Sequence, residues 1–157
     1  MKIKFIVIGK TNTSFIKEAI AEYEKRLKHY ASFEIICLPD IKNAGKLNEV
    51  QLKTKEGESI LANINAGDEL ILLDEKGAQY TSVEFAALLT KKMNAATKSL
   101  AFVAGGAFGF SDEVYKKATA LLSLSKMTFT HQMVRLIFVE QVYRAFTIIK
   151  GEGYHHE

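Results

Sequence analysis

The sequence has little cysteine, proline and tryptophan. Its 157 residues include one cysteine, Cys37, one proline, Pro39, and no tryptophan. A single cysteine excludes a disulfide framework within the chain and a zinc site built from several cysteines, and we predict no metal. It is also typical of proteins in a reducing compartment. The N-terminal apolar run is shorter than that of a secretory signal peptide, so we predict a cytoplasmic protein.

Long hydrophobic runs are missing as well. No uninterrupted apolar segment approaches the roughly 20 residues that span a bilayer, and the most apolar segment, Leu136–Phe146, carries Glu140, Gln141 and Arg144. We therefore predict no membrane partner. Apolar residues make up 48% of the chain, enough for a core. With no low-complexity linker, we expect a single domain over residues 1–157.

Charge of one sign is not concentrated anywhere. The net charge is +3, and the lysines are scattered rather than grouped in a dense run. Such a balance permits an anionic partner such as RNA but does not require one, because lysines on helix surfaces also serve solubility.

Strand-like and helix-like patterns alternate along the chain. Short apolar segments rich in β-branched residues predict five strands. These are Ile3–Gly9, Phe33–Leu38, Glu69–Asp74, Ser99–Gly106 and Leu122–Ser125. The alternation predicts an α/β fold with a mostly parallel sheet flanked by helices. In such sheets ligands bind beyond the carboxyl ends of the strands, so the segments that follow each strand are the candidate site.

Several of the predicted helices carry clear signals. Thr81 followed by Glu84 predicts a capping box at the start of one helix, and Ser111 is expected to cap another that ends at about Leu121. Phe15, Ala19, Tyr23 and Leu27 recur at four-residue spacing, with Ile16 and Ile20 beside them, and predict the buried face of the first helix. The last helix, from about His131 to Lys150, is apolar nearly all round. A helix of this kind is buried on several sides, and in a chain of this size that predicts a homodimer.

The segments that follow the strands differ in what they can do. "GGAFGF", Gly105–Phe110, places three glycines after a buried strand, which suits either a tight turn or the floor under a flat ligand such as an adenine nucleoside. Asp74 and Glu75 suit a general base, a ribose contact or a solvated turn, and Lys76 and Gly77 after them favour the turn. "SLSKMTFTHQMVR", Ser123–Arg135, is the most polar segment between two apolar ones. We expect its hydroxyl groups to satisfy a tight turn.

The last helix and the tail carry the remaining candidates. Glu140 and Arg144 stand four residues apart, a favourable spacing for an ion pair within a helix. His131 and Arg135 lie at its beginning, where the helix dipole favours anions. The polar tail "GEGYHHE" is compatible with a frayed terminus or a mobile lid, and its composition favours fraying.

Several of these segments together resemble the ribosomal RNA large subunit methyltransferase H family, small SPOUT-class enzymes that methylate N3 of a pseudouridine in 23S ribosomal RNA. The block "LSLSKMTFTHQMVRLIFVEQVYRAF", residues 122–146, is the most specific match. "KIKFIVIGK", "AEYEKRL", the "KEGE" of Lys55–Glu58 and the tail "GEGYHH" extend the resemblance over the whole length.

The resemblance implies a homodimer with a C-terminal trefoil knot and an S-adenosyl-L-methionine (SAM) site formed by three loops. A knot runs against the general rule that chain connections do not thread loops. By position, the residues implied in cofactor binding are Leu73, Gly105, Leu124, Ser125, Lys126, Met127, Thr128 and Phe129.

The RNA side is implied to lie on the last helix and the tail. His155, Glu140, Arg135 and Tyr154 are the catalytic candidates, with His155 or Glu140 as the acceptor of the N3 proton. Arginines would hold phosphate or developing negative charge, and Tyr154 would stack on a base. The candidates for substrate binding are His131, Arg144 and His156. The family commonly has arginine or lysine at the position of His156, followed here by Glu157, which puts a phosphate-binding role there in doubt.

The resemblance further implies that the substrate is 23S rRNA in the assembled ribosome. Two alternatives stay open from the sequence. One is a dimeric α/β protein that binds SAM or a nucleotide without catalysis, since no single residue demands catalysis. The other is a SPOUT methyltransferase with a different RNA target.

Overall fold

A five-stranded sheet forms the centre of the molecule in the computed structural model, which describes residues 1–156. Its strands are β1 (Lys2–Ile8), β2 (Ser32–Leu38), β3 (Asp68–Gln79), β4 (Ser99–Ala104) and β5 (Ala120–Ser123). They lie in the order β2-β1-β4-β3-β5, and every neighbouring pair is parallel. The predicted α/β fold with a parallel sheet is confirmed. The trefoil knot is consistent with this architecture and stays a prediction.

Helices cover both faces of the sheet. They are α1 (Ser14–Leu27), α2 (Glu49–Ala62), α3 (Ser82–Asn94), α4 (Asp112–Lys117) and α5 (His131–Ile149), with a short 3-10 turn at Ala44–Lys46 before α2. The capping box predicted by Thr81 and Glu84 is present at the start of α3, and Asn48 and Gln51 form another at the start of α2. Each box satisfies backbone N–H groups that a helix start leaves without partners.

Successive residues of the central strands point to two different cores. In β4, Leu100 and Phe102 pack among α1, α3 and α5, whereas Ala101 and Val103 pack among α2 and α4. All six residues of β4 are buried. A strand covered on both faces has no polar side, which explains why this segment reads as a continuous apolar run.

Two boundaries differ from the prediction around the third and fifth strands. The segment Glu75–Gly77 is not a simple turn, because β3 continues to Gln79 after an irregularity between Leu73 and Ala78. A Cβ atom at Gly77 would lie 2.5 Å from the backbone of β5, so glycine lets the extended strand approach its neighbour closely. The predicted strand Leu122–Ser125 is shifted: β5 is Ala120–Ser123, and α4 ends at Lys117 rather than near Leu121.

The predicted buried face of α1 is partly wrong. Ile16, Ile20 and Leu27 are buried, but Phe15 is 64% exposed. Neighbouring residues on a helix are about 100° apart, so a core-facing stripe can be assigned one residue too early from spacing alone. Within residues 1–156, none of the helices combines the length and the apolar character needed to cross a membrane.

Candidate active site at the carboxyl edge of the sheet

A cleft of about 830 Å³ lies beyond the carboxyl end of β4 and beside the irregular part of β3 that begins after Leu73. Its walls are this part of β3 with Asp74, the glycine loop Gly105–Phe110, and the start of α5 with His131. A side cavity of about 150 Å³ shares Leu73 and Phe129 with it. Both spaces lie where open parallel sheets bind ligands, and the larger one has the size of a small-molecule site.

The first wall is fixed by a hydrogen bond between two elements. Tyr115 of α4 donates its hydroxyl proton to Asp74 Oδ2 over 2.5 Å, and the backbone N–H of Lys76 donates to Asp74 Oδ1 over 2.8 Å. Burial, followed by the bond to Asp74, raises the pKa of Tyr115 to about 12. The phenol therefore stays protonated at neutral pH and holds the β3 exit against α4.

The glycine loop Gly105–Phe110 is a tight turn. The backbone N–H of Gly109 donates to the carbonyl of Gly106 over 3.2 Å, and Gly109 has a φ of +80°, which favours glycine. A Cβ atom at Gly105 would lie 3.0 Å from the ring of Phe110. Of the two interpretations open from the sequence, the tight turn is present, and its outer side faces the cleft.

The third wall is the loop between β5 and α5. Ser123 Oγ donates to the carbonyl of Ser125 over 3.0 Å, and Ser125 Oγ accepts from the N–H of Met127 over 2.9 Å. Thr130 Oγ1 accepts from the N–H of Met133 and so caps α5. The expectation that these hydroxyl groups satisfy a tight turn is confirmed.

All eight residues predicted to bind the cofactor line these two spaces. They are Leu73, Gly105, Leu124, Ser125, Lys126, Met127, Thr128 and Phe129. Apolar side chains of Leu73, Phe129 and Val134 suit an aromatic ring, and the cleft also exposes the carboxyl groups of Asp74 and Glu75. The volume and the mixed lining fit a nucleoside that carries a cationic group.

A second cluster lies on α5 and the tail. Glu140 Oε1 accepts from Arg144 Nη2 over 2.6 Å, from Arg144 Nε over 3.0 Å and from the hydroxyl of Tyr154 over 3.1 Å. The guanidinium carbon of Arg144 stands 4.8 Å from the centre of the Tyr154 ring. Arg144 Nη1 and His155 Nδ1 are 3.2 Å apart. The structure thus brings together four predicted site residues, Glu140, Arg144, Tyr154 and His155.

The protonation pattern of this second cluster follows from its donors. Arginine can only donate hydrogen bonds, so His155 Nδ1 accepts from Arg144. The hydrogen bonds that Arg144 donates to Glu140 raise the pKa of Arg144 further above its ordinary value. Burial, and then the hydrogen bond with Tyr23, raises the pKa of Tyr154. At neutral pH the cluster therefore holds a permanent cation, Arg144, beside the neutral phenol of Tyr154.

The tail is packed rather than frayed in the part that the structure describes. Glu152 accepts a hydrogen bond of 2.5 Å from Tyr30, and Tyr154 contacts Tyr23 of α1 over 3.2 Å and the ring of Tyr143 with centroids 4.9 Å apart. Of the two interpretations of "GEGYHHE", fraying does not hold for residues 151–155. His156 is exposed, and Glu157 lies outside the described residues.

Gln141 connects the second cluster with the loop between β5 and α5. Its Nε2 donates to Glu140 Oε2 over 2.7 Å, and its Oε1 accepts from Ser82 of α3 over 2.8 Å. Gln141 also lines a small cavity of about 50 Å³ together with Ser123 and Leu124. The two clusters are thus neighbours on α5, although none of the four clustered residues lines the main cleft.

Arg135 does not belong to either cluster. It is 3% exposed, and its guanidinium donates to the carbonyls of Ile8 and Gly9 and to the hydroxyl of Thr11, over 2.5 to 3.1 Å. Burial lowers its pKa. This placement does not fit the prediction that Arg135 contacts RNA or takes part in catalysis. His131, in contrast, is exposed at the rim of the cleft.

Sequence reasoning missed Tyr115 and Val134, and it weighted Asp74 towards a solvated turn. The signal for Asp74 was its position after a buried strand, but its partner Tyr115 is 41 residues away. Among residues 1–156, no three histidine, cysteine, aspartate or glutamate side chains lie close enough together to hold a metal ion.

Comparison with known proteins assigns the class. The family model described as "Predicted SPOUT methyltransferase" matches residues 1–155, and the chain belongs to this family. The predicted resemblance to SPOUT-class enzymes is therefore confirmed, and the cleft lies in a methyltransferase.

Individual proteins that are similar over their full length define the relationship more specifically. The chain is 57% identical to ribosomal RNA large subunit methyltransferase H of Parabacteroides distasonis over 157 residues, the full length of both proteins. It is 54% identical to the protein of that name from Flavobacterium johnsoniae and 50% identical to that from Porphyromonas gingivalis, again over the full length of both chains.

Proposed function

We propose that the protein transfers a methyl group from SAM to N3 of a pseudouridine in 23S rRNA of the assembled ribosome, in the cytoplasm. The observation that carries this proposal is the convergence of three separate loops on one cleft. Those loops contain every residue that the sequence assigned to the cofactor. The likeness to proteins named ribosomal RNA large subunit methyltransferase H supports an rRNA substrate.

The cofactor supplies an activated methyl group when bound. The chain's own contribution is placement. Leu73, Phe129 and Val134 would enclose the base of the cofactor, and Asp74 and Glu75 lie where a cationic group would be stabilised. The loop Leu124–Thr130 closes the side cavity. Because its hydroxyl groups are occupied by backbone groups, we assign it a shaping role and no nucleophile.

The RNA would bind on the side of His131 and the second cluster. Arg144 is a permanent cation that can hold a phosphate or the negative charge that develops on the base, and Tyr154 offers a ring face for stacking. Glu140 already accepts from Arg144, Tyr154 and Gln141, so its carboxylate orients its neighbours. This leaves His155 as the preferred acceptor of the N3 proton once Arg144 turns towards the substrate.

The homodimer also belongs to this proposal. Besides Val134, which lines the cleft, five apolar side chains of α5 remain partly exposed: Met133, Leu136, Ile137, Ile148 and Ile149. A second copy packed on α5 would bury them and place its own loops beside the second cluster. Light scattering after size-exclusion chromatography should give twice the mass of 17.5 kDa.

The proposed function is tested with ribosomes from a strain that lacks the protein. Incubation with purified protein and SAM should add one methyl group to one pseudouridine of 23S rRNA, detected by mass spectrometry of nuclease fragments. Naked 23S rRNA should react far more slowly, because a thin basic surface binds free RNA weakly.

The alternatives give different results in the same assay. SAM binding without methylation of any RNA would indicate a protein that senses the cofactor. Methylation at another nucleotide would indicate a SPOUT enzyme with a different target. Equal rates on naked rRNA and ribosomes would contradict the assembled ribosome as the substrate.

A further inference from the structure

Two consecutive residues of α2 face inward although their neighbours do not. Glu56 is 8% exposed and Gly57 is buried, whereas Lys55 and Glu58 on either side are exposed. Glutamate is rarely buried without a partner, because removing its charge from water costs free energy. The "KEGE" segment of the sequence therefore has a structural feature that solubility does not explain.

The inward pair supports both ends of the glycine loop. A Cβ atom at Gly106 would lie 2.5 and 2.7 Å from the two carboxyl oxygens of Glu56. A Cβ atom at Gly57 would lie 2.4 Å from the hydroxyl oxygen of Ser111. Gly106 and Ser111 stand at the two ends of the turn, so the loop rests on adjacent residues of one helix.

Glu56 gains little stability from its position. Within residues 1–156 it makes no hydrogen bond and no ion pair, and the ionisable group that acts on it is Asp40, another acid. Burial, and then Asp40, raises the pKa of Glu56. A buried carboxyl group without a stabilising partner is a feature of functional sites more than of packed cores.

We propose that Glu56 is a positioning residue for the cofactor, which acts by holding Gly106 in the wall of the main cleft. The inference rests on the proposed function, since it concerns the SAM site. Glu56 itself does not line the cleft, whereas Gly105, Gly106 and Ala107 do. Its carboxyl group fills the space behind the loop, so its volume sets how far the loop extends into the cleft.

The contact between Glu56 and Gly106 is tested by making the side chain at one position larger and the side chain at the other smaller. Gly106→Ala pushes a methyl group into Glu56, and Glu56→Ala leaves a gap behind the loop. Each should weaken SAM binding about tenfold or more in titration calorimetry, since small displacements in such sites have large effects. The double variant should regain most of the affinity, because the new methyl group enters the vacated space.

Conservative and control variants separate positioning from general stability. Glu56→Gln keeps the volume and should bind SAM within about threefold of the parent, and Glu58→Gln, on the exposed neighbour, should do the same. At saturating SAM, the methylation rate of each single variant should be closer to the rate of the parent than its SAM affinity is to the affinity of the parent. If Glu56→Ala does not fold, the exchange is repeated with Glu56→Asp and Gly106→Ala.

The outcomes are distinct. Restored affinity in the double variant supports the proposal, whereas independent, additive losses overturn it. If the unmodified protein binds no SAM, the proposed function fails instead.

Discussion

The amino and carboxyl edges of the sheet are built in different ways. At the amino edge, charged side chains are paired: Lys4 with Asp68 over 2.8 Å, Lys2 with Glu34 over 2.8 Å, and Lys92 with Glu69. At the carboxyl edge, apolar side chains are left in solvent. The six large hydrophobic residues exposed among residues 1–156 all follow the carboxyl end of a strand: Phe15, Val50, Tyr80, Val83, Phe108 and Met127.

This contrast suggests that the amino edge of the sheet contributes to stability, whereas the carboxyl edge serves recognition. Paired charges at the amino edge satisfy groups that would otherwise be costly to bury. Of the exposed apolar groups at the carboxyl edge, Phe108 lines the cleft and Met127 lines its side cavity, and the other four lie outside both spaces, where they are suited to contact a partner. The four predictions that follow test this separation, from the largest expected effect to the smallest.

The largest effect is expected from Lys4→Met at the amino edge. It leaves the carboxylate of Asp68, 4% exposed, buried without its cation, and should lower the free energy of unfolding by about 3 kcal/mol in urea titrations. Lys2→Met, in a pair about 40% exposed, should cost under about 0.5 kcal/mol. SAM affinity of the folded proteins should not change, and a loss of affinity would contradict the separation.

The pH dependence of that effect has a definite sign. Burial alone would raise the pKa of Asp68, but hydrogen bonds from Lys4 and from the N–H of Asn65 outweigh it and lower the pKa. A lowered pKa contributes stability above the unfolded value of 3.8, and this stability is lost as the pH falls through the folded value. The stability difference between the parent and Lys4→Met should therefore shrink on acidification.

Arg144→Met should give the next largest effect, on activity. Loss of the cation should lower single-turnover methylation of ribosomes about 100-fold, with SAM affinity unchanged. Arg26→Met is a matched control, because Arg26 forms an ion pair with Glu22 at the same four-residue spacing on α1. Equal losses in both variants would show a general effect of charge instead.

Phe15→Ser combined with Val50→Ser should have a smaller effect, confined to the substrate. Both side chains are more than 60% exposed and line no part of the cleft, so stability should change by under about 0.5 kcal/mol. The KM for ribosomes should rise several-fold, with the Kd for SAM unaltered. Lys98→Ser, exposed at the amino edge, is the control. A change in oligomeric state would show that these residues contact a second copy instead.

Glu56→Gln should give the smallest effect, on stability. Because the pKa of Glu56 is raised, the folded protein keeps this proton to higher pH than the unfolded chain does. The parent therefore loses stability relative to the variant as the pH rises above about 4.5. The difference in melting temperature should widen from pH 4.5 to pH 8, and a constant difference would contradict burial as the cause.

Sequence patterns correctly predicted the helices and strands that are determined by residues close together in the sequence. The apolar runs gave the strands, and Thr81 with Glu84 gave the start of α3, because both signals lie within a few residues. The exposure of Phe15 and the burial of Arg135 were missed for a different reason. Burial of Arg135 depends on the carbonyls of Ile8 and Gly9, which no pattern near residue 135 contains.

The same distinction applies to the site. The strand assignment predicted which segments line the cleft, because the segments that follow parallel strands share one edge of the sheet. The assignment of these segments to a cofactor came from the family resemblance and stays a prediction. The packing of the tail on Tyr23 and Tyr30 was missed, since it joins residues more than 120 positions apart. The proposed role of Glu56 was also not predicted from the sequence, because a glutamate among charged neighbours is typical of a solvated helix face.

The buried guanidinium of Arg135 has a consequence for how the chain folds. It joins α5 to the turn after β1, across 126 residues, and Gln132 adds a second link between the same segments. Strand β1 likewise pairs with β4 in the centre of the sheet. Contacts of such long range slow folding. They also require that the chain has been synthesised as far as Arg135 before the turn after β1 gains its final contacts, so this part of the fold is completed late.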